Sequence, residues 1–246
     1  MKTLTLILAV CFSSIQIFAQ NSPSGKLGSL FKKAQTVIKS SNSSSGSLST
    51  DEIVSGLKEA LSLGAQKSTD KLSATNGFFK DAAVKILLPK EVQDIESKMR
   101  LLGMGKLVDN AVLSMNRAAE DASKSAGPIF LSAIKQMTVT DALQILRGTD
   151  TAATAYLRRT TTPQLTEAFK PVIETSLKKV DATKYWKDVF TAYNRFSSKP
   201  IDTDINSYVT SKALDGIFHY VAAEEISIRQ NPSERVTDIL KKVFAK

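Results

Sequence analysis

The sequence predicts an all-α protein: a single compact multi-helix domain of about eight to ten helices behind a signal peptide and a flexible leader. Three observations carry that prediction. Apolar residues recur every three to four positions in one segment after another. The segments open on a Ser, Thr, Asp or Asn cap, or on a proline, and several have an acid three residues into the helix. No stretch sustains the period-two alternation and turn dipeptides of a strand.

The chain opens with Lys2, an apolar run from Leu4 to Phe18, and Ala19 before a cut. This is the pattern of a cleaved secretory signal peptide over residues 1–19, placing the mature protein in the periplasm or cell envelope. A lipoprotein cut before Cys11 is disfavoured by the bulk of Val10. Cys11 is the only cysteine, so cleavage after Ala19 removes every disulfide and thiolate chemistry. Residues 20–48 form a basic serine-rich leader, with Lys26, Lys32, Lys33 and Lys39 and the linker Ser40–Gly46. All 24 acidic residues lie from Asp51 onward, within a formal net charge of +9 for the whole chain. The leader fits either a solvated linker or a contact with anionic lipid or polymer. No later run is apolar enough to span a bilayer.

The folded domain is expected over 49–246. Ser49 with Glu52 makes a capping box for a helix whose face is Ile53, Leu57, Ala60, Leu61 and Gly64. Asn76-Gly77-Phe78-Phe79 reads as a loop anchored on the core by its aromatics. Pro89 opens a helix with Val92, Ile95, Met99 and Leu102 inward. Gly103-Met104-Gly105-Lys106 lacks the glycine spacing and the Ser/Thr of a phosphate loop. Lys106 to Ala126 is a long helix with Val108, Val112, Met115, Ala119 and Ala122 inward, and Pro128 starts the next. Thr138 and Asp141 form a second capping box, and Gly148 ends that helix. Asp150 then caps a short helix to Arg159, placing Arg147 and Asp150 at the apex of a hairpin. Thr162-Pro163 reads as a further helix start, followed by Leu165, Phe169, Ile173 and Leu177 with a kink at Pro171. Tyr185, Trp186, Val189, Phe190, Tyr193 and Phe196 give an aromatic wall. Asn231 to Glu234 caps the last helix, with Val236, Ile239, Leu240, Val243 and Phe244 inward.

Between these last two lies Asp204 to Arg229, the stretch around which the rest is organised. Leu214, Ile217, Phe218, Val221 and Ile228 make one apolar stripe. Ile205, Val209, Ala213, Gly216, Tyr220 and Ala223 make a second, so the helix is wrapped by neighbours. It also carries Lys212, Asp215, Glu224, Glu225 and Arg229, and Glu225 falls inside the first stripe.

Polar residues set among apolar faces require partners. Asn116, Arg117, Glu120, Asp141, Arg147, Asp150, Lys212, Asp215, Glu225 and Arg229 are therefore the candidates for either a ligand site or a structural polar network. His219 is the only histidine, which removes His-based metal sites and, without a G-x-S-x-G elbow, a serine triad. No metal ligands and no cofactor are expected. Nucleic acid is not an expected partner, because no arginine-rich or aromatic-interleaved patch is present.

Several segments together resemble a bacterial family, the domain of unknown function 4197, from about Asp51 to the C-terminus. The resemblance rests on Asn76–Phe79, Leu87–Pro89, Ser114–Glu120, Ala133–Met137, Ile145–Gly148 and Ala152–Thr154, with Tyr156 and Arg159-Thr160. It continues through Tyr208-Val209, Lys212–Phe218, Glu224-Glu225 and Ile228–Pro232, with Arg235. It implies an exported helical protein and supplies no catalytic or binding residues.

Three functional readings stay open. The preferred one is a non-catalytic envelope protein that binds a partner protein or an anionic ligand through an arginine-rich pocket. A carboxylate-based hydrolase of an envelope substrate would use Glu120, Glu225 and Asp215. A peripheral membrane protein would attach through the basic leader.

Overall fold

Backbone N–H and C=O groups must find partners wherever the chain leaves water, and this sequence satisfies them with helices. The computed structural model describes residues 49–179, 186, 194, 200, 204–235 and 237–243. Its α-helices are α1 Thr50–Ser73, α2 Gln93–Leu101, α3 Gly105–Ser123, α4 Ala126–Gln136, α5 Val139–Arg147, α6 Ala152–Lys178, α7 Ile205–Gln230 and α8 Asp238–Val243. Short 3-10 turns occupy Lys90–Val92 and Pro232–Glu234. Among the described residues there is no strand. The signal peptide, the leader and most of the aromatic wall (Tyr185, Val189, Phe190, Tyr193 and Phe196) lie outside the described residues, as do Val236 and Phe244 and the side chains of Ile95, Ile239 and Leu240.

Local chemistry sets the helix ends. Ser49 Oγ accepts the Glu52 N–H at 3.2 Å, and Glu52 accepts the Ser49 N–H at 2.9 Å. Thr138 and Asp141 repeat the reciprocal pair at α5, and Gly148 ends that helix. Pro128 is the third residue of α4, where its missing N–H has no intrahelical acceptor to serve.

Three expectations fail for physical reasons. Thr162-Pro163 starts no helix: α6 runs unbroken for 27 residues through Pro163 and Pro171, so it is also not the short helix expected to end at Arg159. Leu157, Thr161, Leu165, Phe169, Ile173 and Leu177 form one buried stripe at spacing four across both prolines. The two prolines are exposed, and so are Arg159 and Glu167, whose carbonyls they deprive of a donor, so the lost bonds fall on the solvent side of the helix. The threonine hydroxyls bond backward, Thr161 to the Leu157 carbonyl and Thr162 to the Arg158 carbonyl, each at 2.6 Å. Asn231 does not open the last helix; it ends α7, donating its N–H to the Ser227 carbonyl at 2.8 Å. Arg235 then caps the same terminus, bonding the Ile228 and Arg229 carbonyls at 3.1 and 2.8 Å. Leu102, expected inward, is exposed.

α7 packs against α6, α1 and α3; α6 packs also on α3 and α4, and α1 on α4, α5 and α8. Phe78, Phe130, Phe169 and Phe218 are fully enclosed in one core, where Phe130 and Phe218 meet edge to face at 5.7 Å. Trp186 is buried and stacks on Tyr208 at 5.6 Å. The first stripe of α7 is buried along its length. The second is buried from Ile205 to Gly216, then gives way to half-buried Tyr220 and exposed Ala223. α2 is the outlier, packing mainly on α3 and the 3-10 turn before it. No described helix is long and apolar enough to cross a membrane.

Candidate functional site

The candidate residues divide among separate sets of partners rather than converging on one pocket. The first set joins three helix ends. The N-cap residue of α6, Thr151, makes no side-chain capping bond, which leaves the first N–H groups of a long helix to be satisfied from elsewhere. Glu225 of α7 supplies the acceptor. Its Oε1 takes the Ala153 N–H at 2.9 Å, and its Oε2 takes the Thr154 N–H and hydroxyl, both at 2.8 Å. Arg229, one turn on, donates Nε and Nη2 to Glu225 Oε1 at 3.1 and 3.0 Å. Its Nη2 also reaches the Ile145 carbonyl in the last turn of α5 at 2.9 Å. A buried anion thus sits at a helix N-terminus and a cation at a helix C-terminus, the favourable arrangement for both macrodipoles. A cavity of about 20 Å³, the volume of a single water, lies beside this pair between Leu57, Leu61, Gly64 and Val221.

The second set stitches an irregular segment to the bundle. Residues 74–89, between α1 and the 3-10 turn, are folded inward without regular structure, so their backbone groups need side-chain partners. Glu120 Oε1 accepts the Phe78 and Phe79 N–H groups, each at 3.1 Å. Its other oxygen binds Arg117, whose Nη2 bonds Asn76 Oδ1 at 2.8 Å. Asn116 acts as a strand would: its Oδ1 accepts the Ile86 N–H and its Nδ2 donates to the Ile86 carbonyl, both at 2.8 Å. Asn76 takes φ 73°, the left-handed turn that asparagine tolerates. Beside it, a Cβ on Gly77 would lie 2.3 Å from the Lys71 carbonyl oxygen. The loop delivers Phe78 into a notch on α7, where a Cβ on Gly216 would lie 2.6 Å from Phe78 Cε1.

A third cluster was not singled out from the sequence. Tyr220 donates its hydroxyl to Asp81, and Lys71 Nζ lies 3.2 Å from the same carboxylate and 3.8 Å from the centre of the tyrosine ring. The Tyr220 hydroxyl, more than any other contact, holds the Asp81 carboxyl below its ordinary value. Burial, then the Asp81 contact, pushes the Tyr220 phenol up. The Tyr220 bond raises the Lys71 ammonium. Asp81 and Tyr220 are 139 residues apart, and no spacing rule links such positions. Lys71, Asn76, Lys80 and Asp81 also line an open groove of about 430 Å³. Near it, Lys85 Nζ and Arg117 Cζ lie 4.4 and 5.7 Å from the centre of the Phe79 ring.

The remaining candidates are peripheral. Asp141 serves its own capping box, and the Thr138 bonds keep its pKa low. Asp150 does not cap α6; it accepts a bond from Gln230 at 3.0 Å. Asp215 pairs with Arg158 at 3.3 Å, both half exposed. Lys212 is exposed and lies 5.9 Å from the Tyr208 ring centre. Arg147 is exposed. The arginine-rich pocket expected from Arg117, Lys212 and Arg229 is not formed, since each faces different partners. His219 is exposed and meets Tyr220 edge to face at 5.3 Å. Among the described residues, no three His, Cys, Asp or Glu side chains are grouped to hold a metal ion.

Chemically, the two carboxylates buried among the described residues are consumed. Glu225 receives five donor contacts and Glu120 three, all from protein groups. A carboxylate has about four lone-pair positions, so Glu225 has no free lone pair and Glu120 at most one.

Residues 47–245 match the family described as Protein of unknown function (DUF4197), and the chain belongs to that family. No curated protein and no solved structure matches the chain.

Proposed function

We propose that this chain is an exported, non-catalytic helical module of the cell envelope that binds an anionic ligand. The saturation of Glu120 and Glu225 carries the non-catalytic part. A general acid or base must exchange a proton with substrate within hydrogen-bond reach, and these groups are committed to backbone N–H groups and arginines. The polar residues embedded in apolar faces act as framework. Binding then falls to the surface around residues 71–85. There, Lys80 and Lys85 are exposed, Lys71 borders the open groove, and Arg117 stands beside Phe79. Asp81 is paired with Lys71 and Glu120 with Arg117, which leaves the charges of Lys80 and Lys85 in excess, so the local balance favours an anion. Export from the cytoplasm is the reading that the signal-peptide pattern of residues 1–19 supports.

A thermal-shift screen with peptidoglycan fragments, phosphorylated sugars and anionic envelope metabolites tests the reading, with product formation followed by mass spectrometry. A ligand at ~100 times its dissociation constant stabilises by about 2.7 kcal/mol. A saturable shift that disappears in Lys80→Glu/Lys85→Glu, with the ligand recovered intact, is the expected result. Turnover of any of these compounds that is lost in a folded Glu120→Gln or Glu225→Gln variant would overturn it.

A further inference from the structure

Apart from the framework and the groove stands the turn between α2 and α3. Its chain, Lys98-Met99-Arg100-Leu101-Leu102-Gly103-Met104-Gly105-Lys106, carries three cations and no acid. Helix α2 ends in a fully formed glycine cap. The Met104 N–H bonds the Met99 carbonyl at 2.9 Å, the Gly103 N–H bonds the Arg100 carbonyl at 3.1 Å, and Gly103 takes φ 79°. Arg100 then clamps the two arms, reaching Glu96 on α2 at 2.9 Å and Asp109 on α3 at 2.8 Å. The turn is therefore held in shape by its own bonds.

That shape holds leucines in water. Leu101 is 87% and Leu102 76% exposed, and Met104 beside them is 43% exposed. Single exposed apolar residues are ordinary on any surface, whereas three together on a capped turn form a patch. The acids nearest the turn in sequence, Glu96 and Asp109, are held by Arg100, and Lys98 and Lys106 flank the patch. Apolar side chains at an apex with cations around them match the two layers of a membrane surface: acyl chains receive the leucines and anionic headgroups meet the lysines. Two leucines and a methionine on a turn reach only the interfacial layer, and no described helix is long and apolar enough to cross a membrane.

We propose that the Leu101–Met104 turn is a membrane-docking tip that inserts Leu101 and Leu102 into an anionic lipid surface. It differs from attachment through the leader, which uses charge alone. It is also independent of the groove, so its failure leaves the non-catalytic reading standing.

The test is flotation of the intact chain, as its cell produces it, with phosphatidylglycerol-containing vesicles and with phosphatidylcholine vesicles. Binding to the anionic vesicles alone is expected. It should fall about a hundredfold or more in Leu101→Asp/Leu102→Asp, the scale of losing two buried leucines, and several-fold in Lys98→Glu/Lys106→Glu. It should survive Lys26, Lys32, Lys33 and Lys39→Gln. Both leucines are exposed, so the aspartate variant keeps its fold, checked by circular dichroism. A Leu101→Trp variant supplies a second readout: brominated lipid should quench its fluorescence beyond any quenching of Trp186, the only native tryptophan. The proposal is overturned by absence of vesicle binding, by equal binding of the aspartate variant, or by an unquenched Trp at 101. It is equally overturned if the chain is a dimer without lipid and the aspartate variant disperses it without any vesicle binding, which would assign the turn to a second copy.

Discussion

Glu225 and Glu120 are the same residue type, buried to a similar degree, each bonded to two backbone N–H groups and one arginine. They differ in what they hold. Glu225 closes the N-terminus of α6 and, through Arg229, the C-terminus of α5, with that arginine's side chain only 11% exposed. Glu120 pins the irregular loop at Phe78 and Phe79, and its arginine is 37% exposed beside the open groove. A buried carboxylate whose partners are also buried can only hold helices in register. One whose cation reaches the surface can hold a loop and present that loop to solvent. The molecule thus has a closed polar frame at the end where α5, α6 and α7 meet and a half-open one beside the groove.

The comparison breaks most severely at Glu225. Glu225→Ala takes the carboxylate from the largely enclosed Arg229 and uncaps α6, so a loss of about 3–5 kcal/mol in urea unfolding is expected. Gly216→Ala should follow, at about 1–3 kcal/mol, because the new Cβ would meet the fully buried Phe78 ring and the loop held by Glu120 must shift. A sharper contrast comes from the two arginines. Arg229→Ala should cost about 1–2 kcal/mol more than Arg117→Ala, since water can reach the oxygen that Arg117 leaves but hardly the one that Arg229 leaves. Asp215→Asn, on an exposed pair, should stay within about 0.5 kcal/mol of the parent.

Acid and base titration sharpen the groove side. Asp81 has a folded pKa below its ordinary 3.8, so its contribution is complete above that value and is lost as pH falls beneath it. Tyr220 and Lys71 have folded pKa values above 10.0 and 10.5. Their charge states at neutral pH are those the fold favours, so stability is lost as pH rises past these values. Asp81→Asn should flatten the acid limb of a stability–pH curve and weaken the alkaline one; an unchanged curve would remove the cluster from the account.

Much of this was legible in the sequence because it is local. Ser49 with Glu52 and Thr138 with Asp141 are caps that read at spacing three, and the stripes of α1, α3 and α7 read at helical spacing. Asn116, Glu120 and Glu225 declared themselves as polar groups on apolar faces. Their partners did not, since Ile86, Phe78 and Ala153 are 30, 42 and 72 residues away and are engaged through backbone atoms that carry no sequence signal. Pro163 misled because local propensity was set against a stripe of six buried residues, and the stripe prevailed. Leu102 misled in the other direction: its spacing is helical, but α2 has too few neighbours to cover it. The segments that carry the family resemblance meet in the two frames. Asn76–Phe79 joins Ser114–Glu120 and Lys212–Phe218, while Ile145–Gly148 joins Ala152–Thr154, Glu224-Glu225 and Ile228–Pro232.

The central claim, that the buried carboxylates are framework, is tested most directly by urea unfolding of the near-isosteric Glu225→Gln beside the parent chain. A glutamine offers one acceptor oxygen where two are used and turns an NH₂ toward donors, so a loss of about 2 kcal/mol or more is predicted. Groups held for chemistry or ligand binding carry a stability cost that substitution relieves. A Glu225→Gln variant as stable as the parent, or more so, would contradict the account.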